Sequence, residues 1–242
     1  MKIVGRTDIG RVRETNQDAF KIVALSQNAG FALVCDGMGG VNGGDRASSI
    51  AKAEIAECIV NNFTSDLTEN ELRNVMLKAI GIANLKIFTT SRKNPELFGM
   101  GTTVVLVILC NQNAYVAHVG DSRLYHYRDG TAKQITKDHS RVQELVDGGI
   151  ITKEQARNHP EKNMITRAVG ISTDVNVDFL TVPLKEGDKL LLCSDGLSGI
   201  CTDEEISDVL RKKDAEDAVK TLVDLANMGG GNDNITVVIA QD

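Results

Sequence analysis

The stretch that decides the reading of this chain is Phe31-Ala32-Leu33-Val34-Cys35-Asp36-Gly37-Met38-Gly39-Gly40, an apolar run that breaks at one carboxylate into glycines. Five consecutive apolar residues bounded by turn formers predict a buried strand, and Asp36 stands where that pattern ends. Glycines at 37, 39, 40, 43 and 44 let the backbone turn tightly and bring carbonyl oxygens close to whatever Asp36 holds. Hard divalent cations take oxygen ligands, so Asp36 beside the Gly37 carbonyl is half a site for magnesium or manganese. For this stretch alone a structural turn with a solvated Asp is an equal reading, and the other acids must decide.

Working outward, the chain starts with an expected strand at Lys2–Asp8, a polar turn carrying Arg13, Asn16 and Asp18, and a strand at Ala19–Leu25. Arg suits bidentate capture of phosphate oxygens and Asp18 suits a cation or its water; a loop-capping salt bridge is the bland alternative. Beyond the glycines, Ala47, Ile50, Ala51, Ile55, Cys58 and Ile59 recur at helical spacing and predict a helix over 43–63, with a second at about 69–91. A β-rich block follows: Thr103–Cys110, Ala114–Val119, Arg123–Tyr127 and Lys133–Thr136, joined by tight turns as in an antiparallel meander. Residues from Asp138 to about Gly170 are polar, with only short helical patches. Strands resume at Asn176–Val182 and Lys189–Cys193, helices at 203–213 and 214–228, and a last strand at Ile235–Ala240. Because antiparallel strands dominate and the helices come in pairs, this order predicts an α+β fold of two packed, mainly antiparallel sheets flanked by helix pairs rather than a doubly wound parallel sheet.

Composition narrows the function. With 27 basic against 33 acidic residues, a net charge of -6 and no basic tract, nucleic acid is excluded as an expected partner. The five cysteines lack CxxC spacing, and Cys35, Cys110 and Cys193 end apolar runs, which argues for reduced core thiols rather than zinc or a nucleophile. No linker composition divides the 242 residues, so one domain over 1–242 is expected. The N-terminus lacks a signal-peptide apolar region and no run is long enough to span a bilayer, so the expectation is a soluble, cytoplasmic protein.

Asp36, Asp121 and Asp195 each follow an apolar strand directly or through one residue, and Asp233 precedes one. Carboxylates ~4 Å apart repel by roughly 4 kcal/mol at an effective dielectric of ~20, so a convergent set requires cations. Such a site with a nearby Arg predicts hydrolysis of a phosphate ester.

In series, Arg13-x-x-Asn16-Gln17-Asp18, Asp36-Gly37-Met38-Gly39-Gly40, Gly101-Thr102-Thr103, Val119-Gly120-Asp121-Ser122-Arg123, Asp138-His139-Ser140, Thr166-Arg167-Ala168-Val169-Gly170, Ser194-Asp195-Gly196-Leu197 and Gly231-Asn232-Asp233-Asn234-Ile235-Thr236 resemble the ordered motifs of the PPM, or type 2C, metal-dependent serine/threonine protein phosphatases. The resemblance runs from residue 5 to about 240 and is greatest to the compact bacterial branch. It implies a four-layer α/β/β/α sandwich, which agrees with the element order, two or three Mn2+ or Mg2+ ions, and phosphoserine or phosphothreonine proteins hydrolysed by direct attack of a metal-bridging water. It further implies opposition to a cognate Ser/Thr kinase, and a monomer. By the same resemblance Asp36 bridges two metals, with Asp195 and Asp233 completing one and the Gly37 carbonyl serving the other. Asp18 contacts that centre through water, Arg13 binds the substrate phosphate, Asp121 with Asp195 holds a third metal, and a flap covers about 139–165.

One departure stands out: relatives often carry a candidate general-acid His where this chain has Met38 or Val41. His139 is the nearest alternative by sequence, but it is expected to be a satisfied structural histidine, leaving a metal-bound water to protonate the leaving group. Two other readings stay open, a phosphatase of small phosphate esters and a non-catalytic phosphopeptide-binding protein. The complete set of metal acids argues against the second.

Overall fold

The structure, a computed structural model, describes residues 2–241, with the side chains of residues 41 and 42 outside the description. The strands are β1 (Lys2–Asp8), β2 (Asp18–Ser26), β3 (Ala29–Met38), β4 (Gly101–Thr102), β5 (Val104–Cys110), β6 (Asn113–Val119), β7 (Arg123–Arg128), β8 (Thr131–Gln134), β9 (Asp178–Pro183), β10 (Lys189–Cys193) and β11 (Ile235–Gln241). The helices are α1 (Gly40–Asn62), α2 (Glu69–Lys93), α3 (Arg141–Asp147), α4 (Lys153–Arg157), α5 (Asp195–Ser198), α6 (Asp203–Lys212) and α7 (Ala215–Met228). One sheet has the order β1-β11-β10-β7-β8 and the other β2-β3-β5-β6-β9, with the short β4 paired to β3. Every pairing is antiparallel.

Three apolar layers hold these elements together, and the two-residue period of the strands assigns side chains to each. Phe31, Leu33 and Cys35 of β3, with Val104, Leu106 and Ile108 of β5, pack against Ile55, Ile59, Met76 and Ile80 of the α1–α2 pair. Leu191, Val237 and Ile239 do the same beneath Leu210, Leu222 and Val223 of α6 and α7. The alternate residues, Ala32 and Val34, Val105 and Val107, Leu190 and Leu192, and Val238, meet between the sheets. The central strands are therefore apolar on both faces, which is why they read as unbroken hydrophobic runs. The α/β/β/α order expected from the sequence is the one observed.

Helix ends follow local chemistry. Thr68 and Glu71 form a reciprocal capping box at the start of α2, and Thr202 and Glu205 form another at α6. α1 has no side-chain cap; it opens on Gly39 at φ 130, where a β-carbon would lie 2.6 Å from Met100 Cα. β3 runs three residues further than its apolar stretch, to Met38, so Asp36 lies inside a strand and pairs with Asp18 across the β2–β3 ladder.

Candidate metal centre

The alternation that builds the core between the sheets also builds the site. Continued toward one end, the inward-facing positions change from Ala32 and Val34 to Asp36, from Phe20 to Asp18, from Leu192 to Ser194 and from Val238 to Thr236. An apolar layer thus closes in carboxylates and hydroxyls. Asp18 Oδ2 accepts from Ser194 Oγ and from Thr236 Oγ1, both at 2.7 Å. Thr7 Oγ1 lies 2.8 Å from Thr236 Oγ1 and accepts from Asn16 Nδ2 at 2.9 Å, so hydroxyls and an amide orient Asp18 from beneath.

Asp36 is held through its backbone. Its N–H donates to Thr103 Oγ1 at 3.0 Å, and its carbonyl accepts from Thr103 N–H and Thr102 Oγ1, both at 2.9 Å. Gly37 N–H donates to the Gln17 carbonyl at 3.1 Å, and a β-carbon on Gly37 would stand 2.0 Å from the Gly44 carbonyl oxygen. Only glycine fits where β3 passes the start of α1. Gly120 at φ +106 turns the chain after β6 and presents Asp121; a β-carbon there would meet Thr103 Cγ2 at 2.6 Å. Asp195 is the first residue of α5, and Gly196 behind it lies against Asn234, with room for no β-carbon. Asp233 Oδ1 accepts from Asn234 N–H at 2.9 Å, and Oδ2 accepts from Arg13 Nη2 at 2.7 Å.

Asn234, which the sequence reading left without a role, clamps the loop that carries Arg13. Its Oδ1 accepts from Gln17 N–H at 2.8 Å, and its Nδ2 donates to the Ile9 and Thr15 carbonyls, both at 3.0 Å. Ser194, Thr236 and Thr103 were likewise unassigned. Extending the inward parity of each strand past its last apolar residue identifies Ser194 and Thr236; nothing local identifies Asn234.

Asp18 and Asp121 are buried, whereas Asp36, Asp195 and Asp233 are half-buried. Burial, then Asp18, Asp195, Asp121 and Asp233, raise Asp36 well above the usual carboxylate range. Burial, then Asp195 and Asp138, raise Asp121 against the pull of Arg123. Asp195 is pushed up to about 6 by burial and Asp233, with a hydrogen bond to Asp36 opposing. Asp18 is raised by burial in spite of its two hydroxyl donors. Mutual repulsion across the group shows that the five acids share one field.

The donor set fits divalent cations. All are hard oxygens, and Asp18 Oδ1 and Asp195 Oδ1 are buried without a hydrogen-bond partner, as atoms reserved for an ion or its water would be. Among the described residues the trio with donor atoms within 4.8 Å of one another is His118, His139 and Asp178. It fits a cation poorly: His139 Nδ1 accepts from Gly120 N–H at 2.9 Å, which leaves the proton on Nε2, 3.1 Å from Asp178 Oδ2. Both ring nitrogens are committed.

Two cavities open on the acids, one of about 690 Å³ beside the 139–165 segment and one of about 670 Å³ on the Arg13 side. Asp121, Asn163, Asp195 and Asp233 line both, and Met38 lines the second. His139 lines neither, and the side chain of Val41 lies outside the described residues.

The chain is similar to known proteins over nearly its whole length. The family model described as protein phosphatase 2C matches residues 7–236. A serine/threonine phosphatase stp of Listeria welshimeri is 39% identical over 237 residues, spanning 98% of this chain and 94% of that protein. The Streptococcus agalactiae serine/threonine phosphatase structure superposes with a TM-score of 0.92 at 37% identity, covering 100% of this chain and 99% of the other. The catalytic domain of the serine threonine protein phosphatase PstP, solved in complex with 2 manganese ions, gives a TM-score of 0.85 at 34% identity over 99% and 97% of the two chains.

Proposed function

The chain belongs to the protein phosphatase 2C family, and on that premise we propose that it is a metal-dependent hydrolase of phosphoserine and phosphothreonine in proteins. The observation that carries this reading is the convergence of Asp36, Asp121, Asp195 and Asp233 on one cavity, with Asp18 paired to Asp36 across the β2–β3 ladder and two buried carboxylate oxygens left without partners.

In this reading Asp36, Asp195, Asp233 and the Gly37 carbonyl would hold two cations, Mn2+ or Mg2+, Asp18 would support them through water, and Asp121 with Asp195 would hold a third. When bound, the cations lower the pKa of water to supply the nucleophile and offset charge on the phosphate oxygens. Arg13 receives the phosphate through its planar fork; its half-exposed side chain reaches the cleft from the loop that Asn234 holds. The Ser194 and Thr236 hydroxyls favour the charged form of Asp18 against its burial and fix its Oδ2, leaving Oδ1 free. Neither Met38, which has no proton to give, nor His139, whose Nε2 proton is directed at Asp178, serves as general acid. The leaving group therefore takes its proton from water.

The same proposal makes residues 1–242 one domain with a flap over about 139–165, acting as a cytoplasmic monomer on the targets of a cognate Ser/Thr kinase. Among the described residues no helix is long and apolar enough to cross a membrane. The test is hydrolysis of a phosphothreonine peptide and of a sugar phosphate with Mn2+, with Mg2+ and with EDTA, by the native chain and by Asp36→Asn and Asp233→Asn. Cation-dependent turnover of the peptide, lost in both variants, is expected. Turnover in EDTA, or preference for the sugar phosphate, would refute the proposal; tight peptide binding without turnover would favour a phosphopeptide-binding protein.

A further inference from the structure

Two histidines grip the turn that carries Asp121. His118 Nε2 bonds the Ser122 carbonyl at 2.9 Å, on one side of Asp121. On the other side, Gly120 N–H donates to His139 Nδ1 at 2.9 Å while His139 N–H donates to the Gly120 carbonyl at 2.8 Å. The two rings stack with centroids 4.8 Å apart. Both histidines are buried.

The hold on Gly120 depends on the tautomer of His139. Only a ring with its proton on Nε2 can accept at Nδ1, and Asp178 Oδ2, 3.1 Å from Nε2, selects that form. Asp178 is itself fixed: Oδ1 accepts from Arg167 Nη1 at 2.7 Å, and the residue pairs with His118 across the β6–β9 ladder. His139 also stands where both ends of the 139–165 segment meet, since its carbonyl accepts from Thr166 N–H at 2.8 Å and the neighbouring Ser140 bridges to Ile165.

We propose that His139, backed by Asp178, is a positioning residue. It holds the Gly120 amide and so sets the Asp121 carboxylate at the metal centre, joining the roots of the 139–165 segment to that carboxylate. The inference rests on the reading of Asp121 as a metal ligand.

The test compares the full chain with His139→Ala, His139→Asn and Asp121→Asn. Mn2+ binding is titrated by the EPR signal of the free ion, and exchange of the Gly120 amide is followed by NMR. Asparagine places Oδ1 where Nδ1 stands and so can accept from Gly120, but it cannot reach Asp178. The weakest class of Mn2+ sites is expected to weaken by about tenfold in His139→Ala, the worth of one buried hydrogen bond, while tighter sites are unchanged. Gly120 exchange should quicken by a similar factor, and His139→Asn should restore most of both. Asp121→Asn should lose that same class. A native isotherm and native exchange in His139→Ala would overturn the inference, as would equal defects in the Ala and Asn variants. An Asp121→Asn isotherm identical to the native one would instead overturn the metal assignment of Asp121, leaving the hold on Gly120 to be decided by the exchange rates.

Discussion

Asp195→Asn should stabilise the cation-free protein while abolishing its activity. Burial and Asp233 move the Asp195 carboxyl from 3.8 up to about 6. Ionising it in the folded state above that pH therefore costs ~3 kcal/mol more than in the unfolded chain. The amide removes that cost and keeps the capacity to hydrogen-bond Asp36. Because the half-buried site also faces water, a net gain of about 1–2 kcal/mol is the expectation at pH 8. The sign follows from linkage: a carboxyl raised in the fold contributes stability that is complete below 3.8 and lost as pH rises through about 6. The native chain should therefore weaken across that window and the variant less so. Urea unfolding at several pH values after exhaustive chelation measures this, and repetition with Mn2+ at 100 times its Kd should stabilise the native chain by about 2.7 kcal/mol. A chelated Asp195→Asn protein less stable than the native chain at pH 8 would refute the account of a repulsive, cation-requiring site.

Three further outcomes are expected. Asn234→Ala removes one acceptor and two donated hydrogen bonds that fasten the 9–17 loop, so it should cost about 3 kcal/mol in denaturant unfolding and raise KM for phosphopeptide more than it lowers Mn2+ affinity. Burial works against the charge of Asp188, but Arg128, the Lys185 N–H and His126 outweigh it and hold its carboxyl below the usual range. Its contribution is thus complete above pH 3.8 and declines progressively below it, towards the far lower value of the folded state, so Asp188→Ala should cost about 3 kcal/mol at pH 7 in urea titrations, with only part of that cost gone at pH 3. Gly37→Ala would drive a β-carbon to 2.0 Å from the Gly44 carbonyl oxygen, so thermal unfolding should show a loss of about 3 kcal/mol or more, whether or not cations are present.

How much was legible beforehand differs from element to element. The helix expected over 43–63 is observed at Gly40–Asn62, and the one at 69–91 at Glu69–Lys93, because an apolar stripe of period 3.6 is local information. The strand expected to stop at Cys35 instead runs to Met38, because ladder pairing with Asp18 and Thr102 overrides the polarity of Asp36 and the flexibility of Gly37. Both ring nitrogens of His139 have partners, but those partners lie 19 and 39 residues away and give no local signal.

By itself the sequence determined the strands, the helices, the sandwich and the acids at strand ends, since hydrophobic period, turn glycines and ordered motifs act over a few residues. Only the tertiary structure decided which of those acids meet. Asp18 faces Asp36 by strand register, Arg13 reaches Asp233 across 220 residues of chain, and the protonation of His139 is chosen by Asp178. Each of these contacts depends on closing long loops and on side chains sharing a low-dielectric space, and the energies of such a space belong to the assembled group rather than to any one stretch of chain.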